Sequence, residues 1–226
     1  MSEKYSVAID GPSGAGKSTI ARRIAGKFGF IYVDTGAIYR TVGLAACRRG
    51  IGSKDAQAVI DMLPELNIRL GYARDGQQRM YLDGEDVSDD IRTPTISIYA
   101  SDVSALPEVR AYLMETQRSM ARENSVVMDG RDIGTVVLPD AGLKIFLTAS
   151  PEARARRRLR ELLDRGAEAD FEQVLRDIEY RDANDSARAA APLRPAEDAV
   201  HLDTTALDFE ESCAAVEKLI RERFGI

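Results

Sequence analysis

The 226 residues contain no tryptophan, one histidine and two cysteines. That scarcity excludes several chemistries. The chain shows no metal cluster of His and Cys, and His201 reads as part of no Ser/His/Asp nucleophile set. His201 falls in a short strand pattern and reads as a packed strand residue. Cys47 and Cys213 stand alone, without a CxxC, and read as buried small hydrophobes in a reducing compartment. No apolar run approaches the roughly 18 residues of a membrane span. A strand pattern begins within a few residues of Met1, so no signal peptide is expected and the expected compartment is the cytoplasm. Basic excess is also missing. Lys and Arg number 31 against 37 Asp and Glu, a net charge of -6, which disfavours a protein that coats nucleic acid.

What is present is an apolar share of 44% and charges of mixed sign at 30%, the composition of a soluble α/β chain with a sizeable core. The stretch Val7 to Thr19 organises it. It reads as a buried strand, a glycine-rich turn and the first turn of a helix, with the pattern GxxxxGKS of a P-loop over Gly11, Pro12, Ser13, Gly14, Ala15, Gly16, Lys17, Ser18 and Thr19. Glycines at 11, 14 and 16 let backbone N–H groups converge on one anion at the positive end of the helix that follows. Lys17 adds a mobile cation for the β- and γ-phosphates, and Ser18 a hydroxyl for Mg²⁺. The stretch therefore reads as a nucleoside triphosphate site.

Along the chain, Ile20, Ile24 and Phe28 give the first helix its apolar stripe, and Gly29 ends it. Residues 30–33 form a second strand. Thr35 is the expected N-cap of a helix running toward Arg49, with Gly50 as its stop. Residues 51–92 break the β-α rhythm. Ser53 is expected to cap a short helix from Asp55 to Leu63. Alternation at 66–70 and 79–82, with turns at Arg74-Asp75-Gly76 and Asp83-Gly84, predicts a small antiparallel sheet inserted in an α/β core. Thr93-Pro94 restarts helix, and Pro107 opens a helix toward Glu123. Strands at 125–128, 143–147 and 199–202 complete a parallel sheet of about five strands, with helices from Pro151, from Phe171 to Arg188 and from Phe209 to Phe224. Ligands of such a sheet bind beyond the carboxyl ends of its strands. Asp10, Asp34, Asp129 and the pair Arg131-Asp132 fall at such ends.

Arginines supply a second theme. Arg40 and Arg131 follow core strands. Arg181, Asp185 and Arg188 have the i, i+4, i+7 spacing of one helix face. That face offers two guanidinium forks to a phosphate, or else it is an exposed face laced by Arg–Asp pairs. Arg154, Arg156, Arg157, Arg158 and Arg160 make the densest positive run. It reads as a mobile arginine lid over phosphates, with a solvated helix balanced by Glu152, Glu161 and Asp164 as the plainer alternative.

These residues resemble a known family. GPSGAGKST at 11–19, DTGAIYR at 34–40, DGEDVSDDIR at 83–92, DGRDIGTV at 129–136, KIFL at 144–147 and Arg181…Asp185…Arg188 with the following Ala191-Pro192-Leu193 look like bacterial cytidylate kinase over essentially the whole chain. The resemblance implies a P-loop nucleoside monophosphate kinase fold. One domain over 1–226 would hold a core at 1–34, 111–150 and 167–226. A monophosphate-binding region with the insert would occupy 35–110, and a helical lid 151–166. It implies transfer of the γ-phosphoryl group of ATP, with Mg²⁺, to CMP or dCMP. Carried over residue by residue, Thr35 and Arg40 would contact the acceptor nucleotide. Ser101, Arg110 and Asp132 would read cytosine. Arg131 and Arg188 would hold the CMP phosphate, and Arg181 and Asp185 the sugar and its surroundings. Lys17, Arg131, Arg157, Arg158 and Arg188 would offset transition-state charge. Ser18 would hold Mg²⁺, with the part of Asp129 left open between a water-mediated contact and bracing of the P-loop. A monomer without nucleic-acid or membrane partners is expected. Kinases of UMP or of a non-nucleotide acceptor, and a non-catalytic nucleotide-binding regulator, are the competing readings. A GTPase-like switch would need a guanine-reading [NT]KxD motif, and the chain has no Asn-Lys or Thr-Lys dipeptide.

Overall fold

A computed structural model describes residues 4–74, 76–164 and 166–226. In chain order its strands are β1 (Ser6–Asp10), β2 (Ile31–Asp34), β3 (Ile68–Tyr72), β4 (Gln78–Leu82), β5 (Glu85–Asp86), β6 (Val126–Gly130), β7 (Leu143–Thr148) and β8 (Val200–Asp203). Its α-helices are α1 (Lys17–Phe28), α2 (Thr35–Arg48), α3 (Ala56–Met62), α4 (Pro94–Val103), α5 (Pro107–Glu123), α6 (Pro151–Asp164), α7 (Phe171–Ser186) and α8 (Phe209–Phe224). Asp75, in the turn expected at 74–76, and residue 165 of the expected lid lie outside the described residues. The chain divides into two compact units. The first comprises residues 1–32 and 120–226, and the second residues 33–119.

The first unit carries the parallel sheet, in the order β2-β6-β1-β7-β8. β1 pairs in parallel with β6 on one side and β7 on the other, with Ile9 opposite both Asp129 and Ile145. The central strand is apolar at Val7, Ala8 and Ile9 because both faces are covered. On one side Ile20 and Ile24 of α1 and Val216 and Ile220 of α8 pack against Val7, Val127, Ile145 and Leu147. Gly29 ends α1 in the left-handed conformation at φ 68°. α6 and α7 meet through Ala155, Leu162, Val174 and Ile178. At the head of the P-loop, Gly11 has φ 148°, and a Cβ there would stand 2.0 Å from the Leu147 carbonyl oxygen, so the strand-to-loop step is open to glycine alone.

The second unit packs α2, α3, α4 and α5 with the antiparallel sheet β3-β4-β5 round Ile38, Val42, Val59, Met80, Ile91, Val103 and Leu113. The hairpin between β4 and β5 turns on Asp83 (φ 53°) and Gly84 (φ 90°), the paired positive φ of a type I′ turn.

Five expectations shift. The N-cap of α2 is Asp34, not Thr35, because the carboxylate at the end of β2 accepts the Ala37 N–H at 2.8 Å. α3 is capped by Asp55, and the Ser53 hydroxyl instead donates to Asp102 at 2.6 Å. α7 ends at Ser186 with Ala187 as its C-cap, so Arg188 lies beyond the helix. β8 is exposed along most of its length, so His201 stands in solvent with its ring tilted on Phe146 at 5.7 Å, and Cys47 is only partly buried. The π-turn at Ile133–Val137 has no counterpart in the sequence reading.

Gly43 lies inside α2, where glycine costs about 1 kcal/mol relative to alanine. It is tolerated because α4 comes so close that a Cβ would stand 2.9 Å from Tyr99 Cβ and 3.1 Å from the Ala100 nitrogen. Gly43→Ala is therefore expected to destabilise by about 1–3 kcal/mol, the overpacking cost exceeding the propensity gain. Denaturant midpoints measure it, and a stabilised variant would show that α2 and α4 have room to part.

Candidate functional site

In the first unit the P-loop runs from the end of β1 into α1. Gly16 caps α1 in the left-handed conformation with no side-chain bond, so the first helical N–H groups are left to the loop side. The Lys17 ammonium donates to the Pro12 carbonyl at 2.7 Å across the loop. Burial, reinforced by the nearby charge of Arg131, lowers its pKa to about 7 against the opposing pull of Asp129 and Asp10. The Ser18 hydroxyl donates to Asp129 Oδ2 at 2.9 Å, and the Tyr32 phenol donates to Asp129 Oδ1 at 2.9 Å. Asp129 is thus oriented by two hydroxyls.

Asp10, at the end of β1, accepts the N–H groups of Ile133 and Gly134 at 2.7 Å each. It pins the π-turn that follows Arg131-Asp132 to the strand that opens the P-loop. Burial raises its pKa to about 6, although both backbone donors act the other way.

Asp185 gathers the arginines. Arg131 Nε donates to its Oδ2 at 2.7 Å, and Arg188 Nη2 donates to its Oδ1. Burial works to raise the Asp185 pKa. Arg131, Arg188 and Arg181 outweigh it and hold the carboxyl down at about 2. Arg131, although its burial works against the charge, is held fully protonated by Asp185 and Asp129. Three guanidiniums act on this one carboxylate, and Arg131 and Arg181 act electrostatically on Lys17 as well. Asp132 is buried beside them in sequence, its carbonyl accepting the Val136 and Val137 N–H groups of the π-turn at 2.9 and 3.2 Å.

The arginine run of α6 divides by role. Arg154 is buried. It donates to the carbonyls of Ala149 at 2.8 Å and Ser13 at 2.9 Å and pairs with Asp182 at 2.7 Å, bracing the P-loop. Arg157 donates to the carbonyls of Ala15 (3.3 Å), Thr204 (2.6 Å) and Leu207 (3.4 Å) and to the Thr204 hydroxyl (3.0 Å). Arg156 lies over the Phe171 ring at 5.8 Å, Arg158 pairs with Glu161 at 2.8 Å, and Arg160 is exposed.

The second unit holds the other expected residues. Asp34 joins Thr35 and Arg40. It caps α2 and accepts Arg40 Nη2 at 2.8 Å. Burial works to raise its pKa, and Arg40 and Arg92 outweigh that and hold it below the usual range. Arg110 is buried on α5. It donates to the Ser104 carbonyl at 3.2 Å and its guanidinium stands 5.5 Å from the Tyr39 ring. The Ser104 hydroxyl in turn donates to the Ser101 carbonyl at 3.0 Å. So Ser101, Arg110 and the base of α2 share one polar region, while Arg131, Asp132, Arg181, Asp185 and Arg188 share the other unit's cluster with Lys17. Sequence reasoning missed Tyr32, Gln78 and Thr204. Tyr32 is polar in an apolar strand, which was a readable signal. Gln78 and Thr204 carry none.

A family model described as cytidylate kinase matches residues 7–222. A cytidylate kinase of Caldicellulosiruptor saccharolyticus is 48% identical over 223 residues, covering 99% of this chain and 98% of that one. One of Caldicellulosiruptor bescii is 50% identical over 92% of both chains, and one of Geobacter sulfurreducens is 48% identical over 96% of this chain and 93% of its own. Among solved structures, an uncharacterized protein from Eubacterium ventriosum shares the fold with a TM-score of 0.54 at 12% identity, covering 97% of this chain and all 100% of that one. With a family model spanning nearly all of it and relatives near half identity along almost their whole length, the chain belongs to the cytidylate kinase family.

Proposed function

We propose that this chain transfers the γ-phosphoryl group of ATP in line to CMP and dCMP, giving ADP with CDP or dCDP. The observation that carries the reading is the group of Arg131, Arg181 and Arg188 round Asp185, within electrostatic reach of Lys17 in an intact P-loop. Two polyanions brought together repel, and phosphoryl transfer asks mainly for fixed positive charge and alignment. Lys17 and residues 11–19 take the donor phosphates. Arg131 and Arg188 take the acceptor phosphate, and Arg181 and Asp185 the sugar side. Arg157 and Arg158 add positive charge as α6 closes and water is excluded.

Thr35 and Arg40 contribute to acceptor binding, Arg40 at the phosphate. Cytosine offers an N4 donor next to an N3 acceptor. Asp132 accepts from N4, and Ser101 or Arg110 donates to N3 or O2. Uracil reverses that edge and would leave buried groups unpaired. The Ser18 hydroxyl and the Asp129 carboxylate, 2.9 Å apart, are hard oxygen donors of the kind Mg²⁺ takes, so they are the residues that would hold it. When bound, Mg²⁺ neutralises phosphate charge. The chain works in this reading as a cytoplasmic monomer.

The direct test is ADP release with ATP and Mg²⁺ and a panel of CMP, dCMP, UMP, AMP and GMP. Fast turnover is expected with the cytidine nucleotides, and equal use of UMP would overturn the base reading. Asp185→Ala should lower kcat/KM for CMP and dCMP at least 100-fold (order of magnitude, for an unpaired buried arginine cluster) while ATP still binds. Loss of ATP binding would instead make Asp185 a structural residue.

A third expectation concerns protons. With its pKa lowered to about 7, Lys17 is mostly neutral in the free protein at pH 8. Bound phosphates favour the ammonium, so binding must return the proton. Triphosphate binding is expected to take up about one proton at pH 8–9 and almost none below pH 6, with affinity falling as pH rises through 7. Calorimetry in buffers of different ionisation heat measures the uptake. Lys17→Met should abolish it, and uptake that survives this substitution would place the titrating group elsewhere.

A further inference from the structure

The antiparallel sheet of the second unit has no role in the reaction as described so far. Its most specific contact belongs to Gln78, the first residue of β4. Gln78 Oε1 accepts the Asp34 N–H at 2.7 Å, and Gln78 Nε2 donates to the Asp34 carbonyl at 3.1 Å. One side-chain amide thus pairs both backbone groups of one residue, as a neighbouring strand would. The orientation of the amide is fixed by its partners. A flip would set the NH₂ against an N–H and the oxygen against a carbonyl.

Asp34 is the pivot from which α2 starts. Its carboxylate caps the helix at Ala37 and accepts Arg40 Nη2 at 2.8 Å. Arg40 Nε is buried without a hydrogen-bond partner among the described residues, so the Asp34 carboxylate is the acceptor that fixes this guanidinium. The chain of contacts runs from sheet to Gln78, to the Asp34 backbone, to the Asp34 carboxylate, to Arg40.

We propose that Gln78 is a positioning residue for acceptor binding, through which the inserted sheet sets the place of Asp34 and hence of Arg40. This rests on the reading of Arg40 as a contact of the acceptor phosphate. Gln78 itself touches no substrate. Its amide is the only side-chain type of its length that can both accept from the N–H and donate to the carbonyl. Glutamate keeps the size and one acceptor, but sets its second oxygen against the Asp34 carbonyl and adds a negative charge beside the Asp34 carboxylate.

The test is a double-mutant cycle on kcat/KM for CMP with Gln78→Glu, Arg40→Ala and the pair, with KM for ATP and the melting temperature followed in parallel and Gln78→Ala as a second variant. Gln78→Glu and Gln78→Ala are each expected to lower kcat/KM for CMP about tenfold, close to 1.4 kcal/mol. KM for ATP should stay within about twofold, as the donor loop does not include Asp34. On the Arg40→Ala background the Gln78 substitutions should add little. Additive losses, or equal losses toward ATP and CMP, would overturn the proposal and leave Gln78 a packing residue. If Arg40→Ala alone leaves CMP use unchanged, the assignment of Arg40 falls and this inference falls with it.

Discussion

Burying positive charge is costly, and most of this structure's first unit answers that cost. An isolated ammonium or guanidinium taken from water loses several kcal/mol even after relaxation. Lys17, Arg154 and Arg188 are all buried, and Arg131 nearly so. Each is met by an oxygen that the fold delivers to the same place. Lys17 has the Pro12 carbonyl and the charges of Asp129 and Asp10. Arg131 and Arg188 share Asp185, and Arg154 has Asp182 and two backbone carbonyls. The parallel sheet makes this possible because the ends of β1 and β6 lie side by side, with Asp10 opposite Gly130 in register. The compensation is weakest at Lys17, where burial and the neighbouring Arg131 leave the proton loosely held. A phosphate brought to cations in so dry a surrounding is attracted far more strongly than in water.

The second unit solves a smaller version of the same problem. Asp34 must end a strand, cap a helix and hold a guanidinium, and a single carboxylate does all three only if its backbone does not move. That explains why a glutamine amide, and not packing alone, holds the Asp34 peptide groups. It also gives the inserted sheet a purpose other than filling space. Met80 and Leu82 of β4 are buried in the unit's core, and Gln78 two residues earlier on the same face faces Asp34.

What was legible in the sequence was local. The P-loop, the strand ends carrying Asp10, Asp34 and Asp129, the glycine stop of α1 and the Asp83-Gly84 turn each depend on a few adjacent residues, and each stands in the structure. The helix caps went one residue astray at Thr35 because two good capping residues stand side by side. The carboxylate at the strand end reaches the third N–H of the helix before the hydroxyl can. What was not legible spans the chain. The grip of Asp10 on Ile133 crosses 123 positions, and that of Gln78 on Asp34 crosses 44. The run of five arginines on α6 read as one device. Only packing shows that Arg154 is buried under the P-loop, that Arg157 serves the Thr204 turn and that Arg158 is half-buried and paired with Glu161.

The pairing of candidate phosphate-binding arginines with carboxylates has a kinetic consequence. A guanidinium with no partner would bind a phosphate most tightly, and would hold the diphosphate product as tightly as the monophosphate substrate. Asp185, ionised at any working pH with its pKa near 2, and Asp34, also held below the usual range, take part of that attraction away permanently. They also hold the arginine forks in place, so that binding does not have to order two long side chains. The carboxylates therefore trade ground-state affinity for fixed geometry. A phosphoryl-transfer enzyme gains by that exchange, because only interactions stronger in the transition state than in the ground state raise the rate of the chemical step.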